Sequence, residues 1–145
     1  INHVLQPAVV AMNATHWLAY MRSLPPYEKV SLISSTDAGI HWSSHDELSM
    51  SNQNSAVAAL LLPTYGVVMA RNPLERARSL LVMHHSEDGL AWTAPQTLAD
   101  GSTGSEYSYP SLSWVDDRLW ISYTHLRQGI AWQRWRTEPA VKAKP

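Results

Sequence analysis

Ser35-Thr36-Asp37-Ala38-Gly39-Ile40-His41-Trp42 closes a β-rich run and brings one acid, one glycine and one indole into a single short turn. Each residue type has a mechanical task. A short carboxylate accepts hydrogen bonds from the N–H groups of its own turn, glycine supplies a positive φ, and the aromatic folds back over the hairpin. A near-copy, Ser86-Glu87-Asp88-Gly89-Leu90-Ala91-Trp92, is one residue shorter between acid and indole, and Trp42 and Trp92 stand 50 positions apart. Ser35, Asp37, Gly39 and Trp42, with Ser86, Asp88, Gly89 and Trp92, therefore read as turn residues of a repeated unit.

Working outward from the first turn, Leu5 to Met12, Trp17 to Arg22 and Lys29 to Ser34 have strand composition, and a short fourth strand is expected near Glu47 to Met50. The pattern restarts at Ser55 to Leu62, Val67 to Asn72, Ser79 to His85 and Gln96 to Ala99, with a polar loop Pro73 to Arg78 that has room for a short helical turn. After the loop at Asp100 to Gly104 it restarts again at Tyr109 to Val115, Leu119 to His125 and Ile130 to Trp135. Pro7 and Pro110 fall at equivalent points, 103 residues apart, which is close to two periods. The expected fold is all-β: three antiparallel propeller blades over about 5–50, 54–100 and 105–135, the third lacking its own fourth strand, with 136–145 as a flexible tail.

Three blades cannot close a ring, and open sheet edges need covering. Ile1-Asn2-His3-Val4 has strand-like composition and is a candidate to complete the third blade of a second copy, giving a homodimer of six blades. The alternative is that the chain is the C-terminal half of a longer protein. It begins at Ile1 without a methionine. Eleven Lys and Arg against twelve Asp and Glu leave a net charge of −1, which gives no basic surface for nucleic acid. With no cysteine there is no disulfide, thiolate metal site or thiol nucleophile. His84 and His85 are adjacent on a strand and point to opposite faces, so they do not suggest a metal, and no cofactor is expected. No apolar run approaches a membrane span of roughly 20 residues, and no basic-then-apolar leader is present. The compartment is not written in these residues.

In a four-stranded blade the loops between strands two and three share a face with the connection into the next blade, while the Asp-containing turns lie opposite. That first face should gather Gln6, Arg22, Asn52, Asn54, Arg71, Glu106, Tyr107, Tyr109, His125 and Arg127. The bland reading keeps Tyr107 and Tyr109 as packing aromatics of a strand, the arginines as solvated strand ends, and Asn52 and Asn54 as turn caps.

Ser-x-Asp-x-Gly-x-x-Trp resembles the Asp box of sialidases and other proteins with bacterial neuraminidase repeats. The succession Leu5-Gln6-Pro7, Tyr20-Met21-Arg22, Asn52-Gln53-Asn54-Ser55, Glu106 to Leu112 and Ser122 to Ile130 is similar, in order and spacing, to the C-terminal half of sialidase-like proteins of that type. The resemblance implies half of a six-bladed sialidase-like propeller acting on a terminal acidic sugar, and sialidases use a tyrosine nucleophile. It implies Tyr109 as nucleophile with Tyr107 as second choice, Glu106 as its base, and His125 as a proton or hydrogen-bond donor. Arg22, Arg71 and Arg127 would clamp the substrate carboxylate, with Gln6, Asn52 and Asn54 at sugar hydroxyls. The Phe-Arg-Ile-Pro segment and early acid/base aspartate of sialidases have no counterpart here. A non-catalytic module binding carbohydrate or protein, or a remnant that keeps the turns without the chemistry, is the alternative.

Overall fold

A computed structural model describes residues 3–52, 54–74 and 77–136. Eleven strands form three antiparallel sheets. The first sheet runs in order through β1 (Val4–Ala11), β2 (Trp17–Ser23), β3 (Lys29–Ser35) and β4 (Asp46–Ser51). The second contains β5 (Ala58–Leu62), β6 (Gly66–Arg71), β7 (Leu80–Ser86) and β8 (Gln96–Asp100). The third holds β9 (Tyr107–Val115), β10 (Arg118–His125) and β11 (Gly129–Trp135), and among the described residues it has no fourth strand. The first strands of the sheets neighbour one another, β1 against β5 and β5 against β9, as the inner strands of consecutive blades do.

Apolar alternation on these strands builds two cores, one in each gap between blades. Val10, Leu18, Tyr20, Val30 and Leu32 of the first blade meet Val67 and Met69 of the second. Val68, Leu81 and Met83 meet Leu119, Ile121 and Tyr123 of the third. A fully buried side chain of this size stabilises by about 1.5–3 kcal/mol, so the gaps between blades dominate the stability.

The second Asp box belongs to the first of these cores as much as to its own hairpin. Ser86 Oγ accepts from Gly89 N at 2.8 Å, and Asp88 Oδ1 accepts from Leu90 N and Ala91 N, each at 2.8 Å. The turn so formed carries Trp92 onto Tyr20 of the neighbouring blade, with ring centroids 5.6 Å apart and edge to face. Tyr20 donates its hydroxyl hydrogen to the Gly89 carbonyl at 2.8 Å. Burial, with the Asp88 charge nearby, pushes the Tyr20 phenol far above its ordinary range, so it stays a donor. The first box has the same internal bonds, Ser35 Oγ to Gly39 N at 2.9 Å and Asp37 Oδ1 to His41 N at 2.9 Å. Its Trp42 folds back over its own hairpin, with Nε1 donating to the Gly39 carbonyl at 3.0 Å.

Several expectations need correction. The strand expected from Ser55 begins at Ala58, because the Asn52 side chain already bonds the Ser55 N–H and carbonyl and leaves nothing for a ladder. β9 begins two residues early, at Tyr107, because pairing with β10 resumes on the far side of a bulge. No helix occurs at Pro73 to Ser79 in the described residues: Arg78 instead forms a lone parallel bridge to Glu106, and Glu75 and Arg76 lie outside them. The strand proposed for donation, Ile1 to Val4, is partly used at home. Val4 pairs with Ser23 and the His3 carbonyl accepts from Leu24 N at 2.7 Å; Ile1, Asn2 and residues 137–145 of the expected tail lie outside the described residues.

Gly89 tests the latch between blades. At φ +77°, an added Cβ would stand 2.5 Å from both Leu18 Cδ1 and Tyr20 Oη. Gly104, at φ +92° with nothing within 4 Å, isolates the backbone cost. Urea denaturation should show Gly89→Ala losing about 3 kcal/mol from backbone strain plus overpacking, and Gly104→Ala about 1 kcal/mol from strain alone. Equal losses would mean the close approach contributes nothing. Acid stability follows from the boxes. Hydrogen bonds from the His41 backbone and side chain and from Ser35 lower the Asp37 carboxyl to about 2, and those from Ala91 and Leu90 lower that of Asp88. Their stabilisation is complete above the ordinary aspartate range near 3.8 and drains as pH falls towards about 2. Asp37→Asn should flatten this acid limb of an unfolding curve, and an unchanged limb would remove Asp37 from it.

Candidate active site

Residues in a left-handed backbone conformation stand within or ahead of each inner strand: Gln6 (φ 54°) in β1, which His3 (φ 68°) also precedes, Asn54 (φ 57°) ahead of β5 and Tyr109 (φ 52°) in β9; Gln6, Asn54 and Tyr109 carry the site. Gln6 and Tyr109 lie within register shifts of β1 against β2 and of β9 against β10, and each precedes a proline. A β-bulge of this kind redirects a side chain out of the sheet's alternation. Positive φ at a non-glycine residue costs about 1–3 kcal/mol and persists where the surroundings enforce it, commonly at functional sites. All three residues lie on the face opposite the Asp boxes.

The side chains there form one connected network. Arg22 donates from Nη1 to Gln6 Oε1 at 3.0 Å and from Nε to Asn54 Oδ1 at 2.7 Å. Arg78 donates from Nη2 to the Asn54 carbonyl at 3.0 Å and from Nη1 to Glu106 Oε1 at 3.4 Å. Its guanidinium carbon lies 5.3 Å from the centre of the Tyr109 ring. Arg127 donates from Nε to Glu106 Oε2 at 2.6 Å, and Ser108 Oγ donates to Glu106 Oε1 at 2.7 Å. Glu106 is 14% exposed, and the Ser108 hydroxyl with the Arg127 and Arg78 cations holds its carboxyl below the usual range. It is an ionised group with both oxygens engaged. Hydrogen bonding from Arg78, then from Arg22, and the Arg78 charge hold the Tyr109 phenol below its usual range although the residue is 47% exposed.

Arg78, Glu106, Tyr109, Thr124 and Arg127 line an open depression of about 580 Å³. A second hollow of about 550 Å³, walled by Pro25, Pro26 and Tyr27, shares Arg78 and Asn54 with the network. Three guanidinium groups share this face with one carboxylate, which two of them, Arg78 and Arg127, contact, so the face is set up for an anion. The site thus pairs a cation-flanked phenol with an arginine cluster. It suits recognition of an anionic ligand and nucleophilic attack by tyrosine.

Other residues singled out in the sequence are not part of this side-chain network. Arg71 is buried and donates from Nη1 to the Ser51 carbonyl at 2.5 Å, and burial pulls its pKa down. The reason is register. Trp17 and Val67 pair alike with Ser35 and Ser86, so Arg71 matches core-facing Met21 while Asn72 matches Arg22. Arg78 takes the place expected of Arg71; its position at the end of the loop between the second and third strands, on the site face, was the available signal. Asn52 is fully buried and spent on Ser23 N and on the Ser55 backbone. Tyr107 packs edge to face on Tyr123 at 6.3 Å and donates its N–H to the Arg78 carbonyl at 2.8 Å, and the exposed His125 ring sits 5.4 Å from Tyr107; neither side chain hydrogen-bonds the arginine network. Among the described residues no group of three His, Asp or Glu side chains gathers to hold a metal.

Three antiparallel sheets, two of them carrying Asp boxes and all packed by their inner strands, are consecutive blades of a β-propeller. The BNR repeat-like domain family matches residues 1–126, and the chain belongs to that family. No curated protein matches it in sequence. Among solved structures it is similar to a Hadza microbial sialidase, with 16% identity and a TM-score of 0.75 over 92% of this chain and 28% of that one. It is also similar to the NanB sialidase of Streptococcus pneumoniae, solved with 2-[(3-chlorobenzyl)ammonio]ethanesulfonate, with 13% identity and a TM-score of 0.66 over 86% of this chain and 20% of that one. The chain spans between a fifth and three tenths of the length of these proteins.

Arg78 and Arg71 separate by titration. Arg78→Met should raise the pH at which Tyr109 forms tyrosinate, identified in absorbance titrations as the signal lost in Tyr109→Phe, whereas Arg71→Met should leave it in place. The same midpoint in Arg78→Met as in the parent would contradict the assignment.

Proposed function

We propose that this face binds a terminal acidic sugar of the sialic acid class and that, in the closed propeller, Tyr109 attacks its anomeric carbon. The observation that carries the reading is the Tyr109 phenol set against Arg78 and Arg22, with Glu106 held on the same guanidinium. The sugar carboxylate is held by Arg127, Arg22 and Arg78 through donors that the internal network leaves over. A neutral phenol approaches this anion without the repulsion that a carboxylate nucleophile meets. Flanking cations make it easier to deprotonate, and Glu106, ionised, takes the proton. As the Tyr109 oxygen bonds to the anomeric carbon, the bond to the departing oxygen breaks. That oxygen takes a proton from an acid beyond the described residues, and water then releases the sugar and restores the tyrosine.

Ile130 and Trp132, 71% and 64% exposed on the last strand, and Val9, 48% exposed on the first, support covering by further blades. These come from a second copy or from the rest of a longer chain. A second reading, glycan binding without turnover, draws on Glu106 being fully engaged by Ser108 and two arginines. Tyr109→Phe should abolish hydrolysis of a fluorogenic sialoside with the circular dichroism spectrum unchanged. Full activity in that variant would exclude the nucleophile. A parent protein that binds the sugar but never turns it over, with binding weakened by Arg127→Met, would select the second reading.

A further inference from the structure

Asn54 is the residue through which the arginines of two blades meet. Its N–H donates to the Ser23 carbonyl at 3.0 Å, which ties it to the end of β2, the strand that carries Arg22. From there its side-chain oxygen accepts from Arg22 Nε at 2.7 Å, and its main-chain oxygen accepts from Arg78 Nη2 at 3.0 Å. With φ at 57°, Asn54 presents its two oxygens to different guanidinium groups. Asparagine suits the position: it tolerates left-handed backbone better than most residues, and its amide oxygen accepts without adding charge that would offset the arginines.

We propose that Asn54 is a positioning residue that fixes Arg22 relative to Arg78 around Tyr109, and that it acts through Arg22 and not by touching the ligand. This deepens the function proposed above by naming what assembles its arginine cluster, and it rests on that reading only for the use made of the cluster. Arg78 lies 5.3 Å from the centre of the Tyr109 ring, Arg22 is joined to Arg78 through Asn54, and Glu106 and Arg127 are linked beyond them; both arginines favour the ionised phenol. Removing the Asn54 amide therefore has a readout in the free protein. A residue that only contacted the ligand would not move it.

The experiment is a double-mutant cycle read by tyrosinate absorbance, with Tyr109 identified by subtracting the Tyr109→Phe titration. Asn54→Gly keeps the backbone conformation and the carbonyl bond to Arg78 while deleting the amide oxygen. Its expected result is an upward shift of the Tyr109 midpoint. In an Arg22→Met background, which itself raises the midpoint, Asn54→Gly should add no further shift. An unmoved midpoint in Asn54→Gly, or two shifts that simply add, overturns the positioning role. Because no turnover enters the measurement, absence of sialidase activity would defeat the proposed function and leave this result standing on its own.

Discussion

The bond from the Tyr20 hydroxyl to the Gly89 carbonyl, under the Trp92 ring, joins the first blade to the second. It is buried, and it links a strand of one sheet to the turn of another, so it fixes relative placement as well as adding stability. The inner strands β1, β5 and β9 lie side by side because the gaps between blades are filled, and this neighbour relation puts Gln6, Asn54 and Tyr109 on one face. A structural turn on one end of the blades thus holds together a charged surface on the other.

That surface stores strain in a rigid frame. Bulges in β1 and β9 turn Gln6 and Tyr109 out of the pleat, and antiparallel pairing on either side of each shift holds the departure. Glu106 neutralises part of the arginine charge and remains ionised, while the pKa of the Tyr109 phenol, which shares Arg78 with it, is lowered. Two oxygen acids are favoured in their charged forms by one cluster of cations.

Much of the architecture was legible because turn chemistry is local. Ser35, Asp37 and Gly39, and Ser86, Asp88 and Gly89, make their hydrogen bonds within a few residues of one another, so spacing alone reveals the hairpins and the period of the blades. Strand limits were read less well where a side chain captured backbone groups, as Asn52 does at Ser55, or where a bulge hid pairing, as before Tyr109. The candidate site was half legible. Tyr109, Glu106, Arg22, Arg127, Gln6 and Asn54 were identified from their order in the chain, and the structure brings them together.

Arg71 and Arg78 mark the boundary between the two kinds of information. The sequence by itself determined the all-β class, the Asp-box turns and the three-unit repeat, since these follow from bonds between near neighbours and from side-chain alternation. Which arginine reaches Tyr109 was decided by tertiary structure. Arg71 stands one position before the residue that matches Arg22 and is buried against the Ser51 carbonyl, whereas the loop between β6 and β7 pairs Arg78 with Glu106 of the third blade. Side-chain direction in a sheet reverses at every residue, so the outcome depends on how the strands pair and how the blades meet.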